Sequence, residues 1–241
     1  MRALAAVMAG LSLVTAGMNV MAETTEERLT ALEKEVMGLR ASESVGVKSS
    51  ATGIGGYGEL HYNNLTGAGG AKDLDLVDFH RFVIFLKHEF SDRIRFNSEL
   101  EVEHALSGDD QPGEVELEQA YIDFDINDSH TVRSGLFLLP VGILNETHEP
   151  TTFYGVERNP VESRIVPTTW WEAGVGANGT LIGDISYAAY LHSGLLTSTN
   201  NSYAVRSGRQ KVALADASDP AGTMALAWRI PGVTLGGSLQ Y

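Results

Sequence analysis

Residues 93–106, RIRFNSELEVEHAL, alternate between polar and apolar side chains along almost their whole length. Successive side chains on a β-strand point to opposite faces, so this segment predicts a strand with one apolar and one charged face. The apolar face would carry Ile94, Phe96, Leu100, Val102 and Leu106. The opposite face would carry Arg93, Arg95, Asn97, Glu99, Glu101 and Glu103.

The same period recurs along the chain, with strands predicted near residues 55–65, 75–90, 114–126, 131–139, 171–181, 185–195, 221–230 and 233–241. Tight connections (SDR, NDSH, IGD and PG) alternate with longer ones near residues 66–74, 107–113, 140–170 and 196–220. Strands of about ten residues joined alternately by short turns and long loops are typical of an antiparallel transmembrane β-barrel. We therefore predict an all-β chain with an outer-membrane barrel over residues 54–241.

A secreted β-sandwich also alternates in polarity and is the competing architecture. The long and short loops, the strand lengths and the N-terminal segment described next favour the barrel. In VELEQAYIDFDI the apolar residues change phase between Leu117 and Ile122. This change predicts a β-bulge between them.

The N-terminus resembles an export signal. A short positive segment, an apolar stretch over residues 3–17 and small residues ending at Ala22 predict a signal peptide over 1–22. Residues 23–41 then place Leu29, Leu32, Val36 and Leu39 at coiled-coil spacing. They predict a short oligomerising coiled coil in the periplasm, with a single amphipathic helix as the alternative. Residues 42–53 are predicted to be a linker.

Composition excludes several function classes. The chain has no cysteine, so neither disulfides nor thiolate chemistry are available. Its formal net charge of −14 argues against nucleic acid as a partner. Neither a G-x-S-x-G nor an H-E-x-x-H motif occurs, and His61, His80, His88 and His104 are scattered at no ligand-like interval. We predict a protein that is not an enzyme and has no cofactor or metal.

Strand direction raises a question about the C-terminus. Bacterial single-chain barrels have an even number of strands, whereas nine are predicted here and the ninth would end outside at Tyr241. Either the strand count is wrong by one, or the sequence is the front part of a longer barrel. The second explanation is favoured.

Several segments resemble the phosphate-selective porins of the O and P type and their general outer-membrane porin relatives. They are GYGELHYNNL, ELEQAYIDFD, LFLLPVGILNETHEP and FYGVERNPVESRIVPTTWWEAGVG, within residues 54–180. The resemblance implies about sixteen strands, a homotrimer in outer-membrane lipid, and passive diffusion of small hydrophilic solutes or ions, with phosphate-type anions as one candidate. By the same resemblance, residues 140–170 would fold inward and narrow the pore.

The charges predict the character of that pore. The narrowing would carry Glu149, Glu157, Arg158, Glu162 and Arg164. The inward strand faces predict an acidic middle, with Glu99, Glu101 and Glu103, and a basic periplasmic vestibule with Arg93, Arg95 and Arg133. Rings of carboxylates favour cations, so we expect weak cation preference or none; charges that only solvate the lumen are the alternative. Phe153, Tyr154, Trp170 and Trp171 would tether the loop, with at least one tryptophan in an interfacial belt.

A second function class stays open, namely a surface-exposed structural or adhesive β protein with a trimeric stalk. Such a protein would open no pore. Conductance in a reconstituted membrane therefore distinguishes the two.

Overall fold

The computed structural model describes residues 51–241, which form one nine-stranded antiparallel sheet in the order β1 to β9. The strands are β1 (Thr52–Leu65), β2 (Leu74–Ser91), β3 (Ile94–Glu103), β4 (Val115–Asn127), β5 (His130–Leu138), β6 (Trp171–Ile182), β7 (Ile185–His192), β8 (Ala221–Ile230) and β9 (Val233–Gln240). The predicted all-β antiparallel architecture is confirmed. The signal peptide, and the coiled coil with Leu29, Leu32, Val36 and Leu39, lie outside the described residues.

Two predicted boundaries were wrong. Strand β1 begins at Thr52, which pairs with His88, so the linker ends before residue 53. Strand β3 ends at Glu103 rather than at residue 106, because His104 takes a positive φ of 55° and its N–H bonds instead to the carbonyl of His80. Leu106 therefore lies beyond the strand.

Short and long connections alternate as predicted. Two residues join β2 to β3, β4 to β5, β6 to β7 and β8 to β9. The two longest connections are residues 139–170 and 193–220. The first contains a 3-10 turn (Pro150–Thr152) and a π-helical turn (Val161–Ile165); the second contains a 3-10 turn (Thr199–Asn201) and the short helix α1 (Val205–Gly208). Because the strands form a meander, all long connections lie at one end of the sheet.

Two bulges change the phase of the strands. In β4, Leu117 pairs with Leu100 and Gln119 pairs with Glu99, which leaves Glu118 as the extra residue and confirms the predicted bulge. In β2, Phe79 pairs with Leu60 and Arg81 with Glu59, which leaves His80 as a second, unpredicted extra residue. An extra residue bends its strand and re-aims a side chain.

The two faces of the sheet have the reverse of the usual polarity. One face, here called the apolar face, leaves large hydrophobic side chains 37–70% exposed; examples are Ile84, Leu100, Leu226, Leu235 and Leu239. The other, here called the polar face, carries the buried charged side chains Arg81, Glu99, Glu101, Glu118, Asp123 and Glu172. Residues 139–170 cover part of this polar face.

Within residues 51–241, a small buried apolar cluster lies where this connection leaves and rejoins the sheet. It consists of Phe137, Leu139, Trp170 and Tyr190. Within residues 51–241, no helix is both long and apolar enough to cross a membrane. Strands β1 and β9 are the edges of the described sheet.

Candidate functional site

The candidate site lies where residues 139–170 meet the polar face of β1–β4. Arg81 is its central cation on the sheet. The Arg81 Nε lies 2.8 Å from the Glu59 carboxylate, and its Nη1 donates to Glu101 at 3.2 Å. Arg81 thus links three adjacent strands, because Glu59 is on β1 and Glu101 is on β3. A buried charge of this kind requires such paired partners.

His148 brings the connection into contact with this face. Its Nε2 lies 3.0 Å from Glu118 Oε2 and 3.6 Å from Glu99 Oε1, and all three side chains are almost fully buried. Its Nδ1 lies 3.2 Å from the carbonyl oxygen of Asn145. Burial by itself lowers the pKa of His148, but the two carboxylates outweigh burial and raise this pKa to about 10.

Two further charges of the connection lie near by. Arg158 donates from Nε and Nη2 to the carbonyl of His148, at 3.3 and 3.1 Å. Burial and the positive charge of Arg81 lower the pKa of Arg158, while Glu118 and Glu101 oppose that shift. Glu157 is exposed and places its Oε1 3.4 Å from His61 Nδ1. Arg158 and Glu157 therefore contact His148 and the sheet residue His61, respectively.

A side-chain clasp holds the two ends of the connection together. The buried Asn145 amide donates to the carbonyls of Leu139 and Trp170, at 2.7 and 2.9 Å. Its oxygen accepts from the Trp170 N–H at 2.7 Å. One side chain therefore satisfies three backbone groups at the point where the chain leaves and re-enters the sheet.

Glu162 was expected among the charges of the narrowing, but its carboxylate is buried and has a structural contact. It accepts from the N–H groups of Ile143 and Leu144, both at 3.3 Å. Gly142 lies against this carboxylate with φ of 77°, and a Cβ there would come within 2.6 Å of Glu162 Oε2. The positive φ favours glycine here, and a Cβ would displace the Glu162 carboxylate from its present position. Glu162 therefore shapes the turn.

Polar cavities lie on both sides of the His148 contact. One, of about 500 Å³, lies towards the short turns and is lined by Lys87, Asn97, Gln119 and Glu149, among others. Another, also about 500 Å³, lies towards the long connections and is lined by Glu59, Arg81, Glu103, Arg158 and Arg164, among others. Residues 139–170 thus separate two polar spaces along the strand direction.

The predicted basic vestibule is not a row of free cations. Arg95 makes a bidentate pair with Asp125, with Nη2 at 2.8 Å from Oδ1. Arg133 makes another with Asp123, at 2.8 and 3.0 Å. Arg93 lies exposed in the β2–β3 turn. The charges of Arg95 and Arg133 are therefore neutralised by carboxylates on β4. The alternation of polar and apolar residues within one strand does not reveal such pairs between neighbouring strands.

The structure brings together histidines that look scattered in the sequence. The rings of His61 and His80 stack with centroids 4.3 Å apart, and the His104 ring meets His80 edge-on at 5.9 Å. Asp78 contacts both His80 and His104, at 3.1 and 2.6 Å. The bulge at His80 and the antiparallel register create this group. The sequence gives no signal of it, because β2 carries apolar residues on both faces and hides the phase change.

The aromatic residues behave only partly as expected, since Trp170 does pack the connection against Phe137 and Tyr190 of the sheet. Trp170 and Trp171 are 2% and 4% exposed, so neither lies in an exposed belt, and Tyr154 is fully exposed and tethers nothing. Instead, residues 193–220 cover Trp171, whose Nε1 donates to the carbonyl of Lys211 at 3.2 Å. Arg209 Nη1 donates to the carbonyls of Thr168 and Thr169, at 3.2 and 2.8 Å. The two long connections therefore pack together.

No family model matches the sequence. The chain is similar to an uncharacterized protein of Aquifex aeolicus (strain VF5), with 41% identity over 166 residues. The match covers 66% of this chain and 36% of that protein, so the chain spans about a third of the length of its relative.

Proposed function

We propose that this chain is part of an outer-membrane β-barrel that forms a water-filled channel for small hydrophilic solutes or ions. Residues 139–170 lie inside the barrel and narrow it. The polar face lines the channel, and the apolar face contacts lipid. The proposed location is the bacterial outer membrane, and the proposed assembly is the homotrimer that the resemblance to phosphate-selective porins implies.

One observation carries the proposal, and it is the reversed polarity of the sheet. In a protein surrounded by water, charged side chains such as Glu99, Glu101 and Glu118 would face solvent and leucines would form the core. Here the carboxylates face the covered side, while the leucines and isoleucines face outward. Outward apolar and inward polar residues are typical of a barrel in lipid, where closure of the sheet satisfies every backbone group.

The charges around the loop support a weak selectivity. On the described polar face around His148, the carboxylates of Glu59, Glu99, Glu101 and Glu118 outnumber the guanidinium groups of Arg81 and Arg158. Two formal negative charges remain when His148 is neutral, and one when it is protonated. Because most of these charges are paired, we propose a slight preference for cations rather than strong selectivity for phosphate-type anions.

Planar-bilayer recording of the full-length protein tests this function. We expect discrete conductance steps and, under a KCl gradient, a small reversal potential whose sign indicates a preference for cations. The absence of any conductance from correctly inserted protein would reject the channel. A strongly anionic reversal potential would reject the proposed selectivity and favour the phosphate-type alternative.

A further inference from the structure

We propose that Glu99, Glu118 and His148 form a binding site for one divalent transition-metal ion, with Zn²⁺ as the best fit, that fastens residues 139–170 to the sheet. The three ligands come from three separate elements: Glu99 from β3, Glu118 from the bulge in β4, and His148 from the connection. A metal bound here would cross-link the connection to two strands.

The unsatisfied polar atoms point to a ligand. Glu99 Oε1, Glu118 Oε2 and His148 Nε2 are buried, and none of the three has a hydrogen-bond partner. They face one another at ion-pair distances of 3.0 and 3.6 Å without hydrogen-bond geometry. Buried polar atoms are normally hydrogen-bonded, and exceptions require an explanation such as a bound ion.

The distances suit a small cation between the three atoms. All three ligand atoms lie within 4.8 Å of one another. Zinc binds histidine nitrogen and carboxylate oxygen at about 2.0–2.2 Å in tetrahedral geometry. The ligands of such a site are about 3.3 Å apart, and the two distances from His148 Nε2, 3.0 and 3.6 Å, lie on either side of that value.

Neighbouring groups already hold the ligands in orientation. The Nδ1–H of His148 donates to the Asn145 carbonyl, so Nε2 is the ring nitrogen that faces the carboxylates, and a bound metal would take the place of its proton. The Gln119 amide donates to Glu99 Oε2 at 2.6 Å, on the oxygen opposite the site. Metal-binding histidines and carboxylates usually have such hydrogen-bonded supports.

Charge balance also favours a divalent ion. A neutral imidazole facing two buried carboxylates would leave two uncompensated negative charges, and a proton on Nε2 would neutralise one of them. A divalent cation neutralises both carboxylates and uses the imidazole as a neutral ligand. An imidazole nitrogen suits zinc and its transition-metal neighbours, whereas Ca²⁺ and Mg²⁺ prefer oxygen ligands.

The test measures Zn²⁺ binding to the folded, chelator-treated full-length protein in detergent, by competition with a chromophoric chelator. We expect one site in the unmodified protein, and Glu118→Gln, which keeps the side-chain size, should weaken binding at least about 100-fold. Gln119→Ala should weaken it about tenfold, because it removes only a support. Retained heat-modifiable migration on gels confirms that each variant is folded.

The histidine group provides the matched control. His80→Gln should leave the Zn²⁺ affinity unchanged, because His80 lies in the separate group with His61 and His104. X-ray absorption should show a single imidazole and only oxygen neighbours otherwise. Binding lost in His80→Gln, a spectrum with several imidazoles, or no Zn²⁺ binding to folded protein would each overturn the proposal. None of these results depends on conductance, so a failed metal site and a failed channel are distinguishable.

Discussion

Arginine at two adjacent positions of β8 separates the lipid-facing from the channel-facing side of the proposed barrel. Leu226 lies on the apolar face and is 52% exposed, whereas Ala225 lies on the polar face, where it pairs with Ala188 and Ser238. We expect Leu226→Arg to lower the free energy of unfolding by about 2–4 kcal/mol, as arginine does at the midplane of a bilayer. Ala225→Arg should cost less than about 1 kcal/mol, because its side chain would reach water.

The position of Leu226 along β8 is the reason for using the midplane range. Strand β8 has 10 residues. At about 3.4 Å per residue and a tilt of about 40°, a strand of this length spans about 26 Å, close to the apolar band of about 25 Å. Leu226 is the sixth residue of β8, near the middle of the band. A cost of about 2–4 kcal/mol corresponds to a change of about 30- to 900-fold in the unfolding equilibrium.

The assay is urea unfolding of the full-length protein in phosphatidylcholine vesicles, followed by tryptophan fluorescence and by heat-modifiable migration. Equal folded yields of the two variants in detergent would show that the fold tolerates both substitutions outside a bilayer. If Leu226→Arg costs no more than Ala225→Arg in vesicles, the apolar face does not contact lipid. A stabilising effect of Leu226→Arg would favour a protein whose outer face meets water.

Three further changes test the loop and its contacts. Asn145→Ala removes three buried hydrogen bonds and should lower the free energy of unfolding by about 3 kcal/mol in urea. It should also raise single-channel conductance, because residues 139–170 would be released from the sheet. Unchanged conductance would contradict the proposed role of Asn145 in holding this connection. Arg81→Met leaves the buried Glu101 without its ion-pair partner, while Glu59 keeps its contact with His61, and the change should cost about 3–5 kcal/mol in urea unfolding. Adding Glu101→Gln should recover part of this loss, and no recovery would contradict the pairing of Arg81 with Glu101. A hydrogen bond from Lys211 lowers the pKa of Glu114, so the stability that this ion pair contributes is lost as pH falls below about 4.5. Burial alone would lower the pKa of Lys211, but its carboxylate partners raise it. The stability that Lys211 contributes is therefore lost as pH rises above about 10.4. Tryptophan fluorescence should change in both ranges because Lys211 Nζ lies 6.0 Å from the Trp171 ring, and Lys211→Met should remove both changes.

The sequence predicted the strands well because period-2 alternation is a local property of the chain. The bulge at Glu118 was visible for the same reason, since the apolar residues of β4 change phase around it. The bulge at His80 was not, because β2 carries apolar residues such as Val83 and Phe85 on its polar face as well. With apolar residues on both faces, a one-residue shift leaves no mark in the pattern.

The contacts of the loop could be predicted only in part. Alternation placed Glu99 and Glu101 on the polar face, where the structure buries them. It gave no sign that His148 would reach Glu99, because a contact between a loop and a strand depends on the path of about thirty irregular residues. Glu162 illustrates the same difficulty, since its role follows from a turn at Gly142 that only the three-dimensional structure reveals.

The two bulges connect the fold to the proposed function. Each adds one side chain to the polar face without lengthening the strand, and the added residues, His80 and Glu118, lie in the histidine group and in the His148 contact, respectively. A regular β4 would present fewer carboxylates to the loop and would leave His148 with Glu99 alone. The bulge in β4 therefore places a second buried carboxylate beside Glu99. One proton on His148 would neutralise only one of these two carboxylates, whereas a divalent ion would neutralise both. Deleting Glu118, rather than neutralising it, should restore a regular register between β3 and β4. The deletion should abolish the Zn²⁺ affinity and also remove the second buried negative charge that a divalent ion would neutralise.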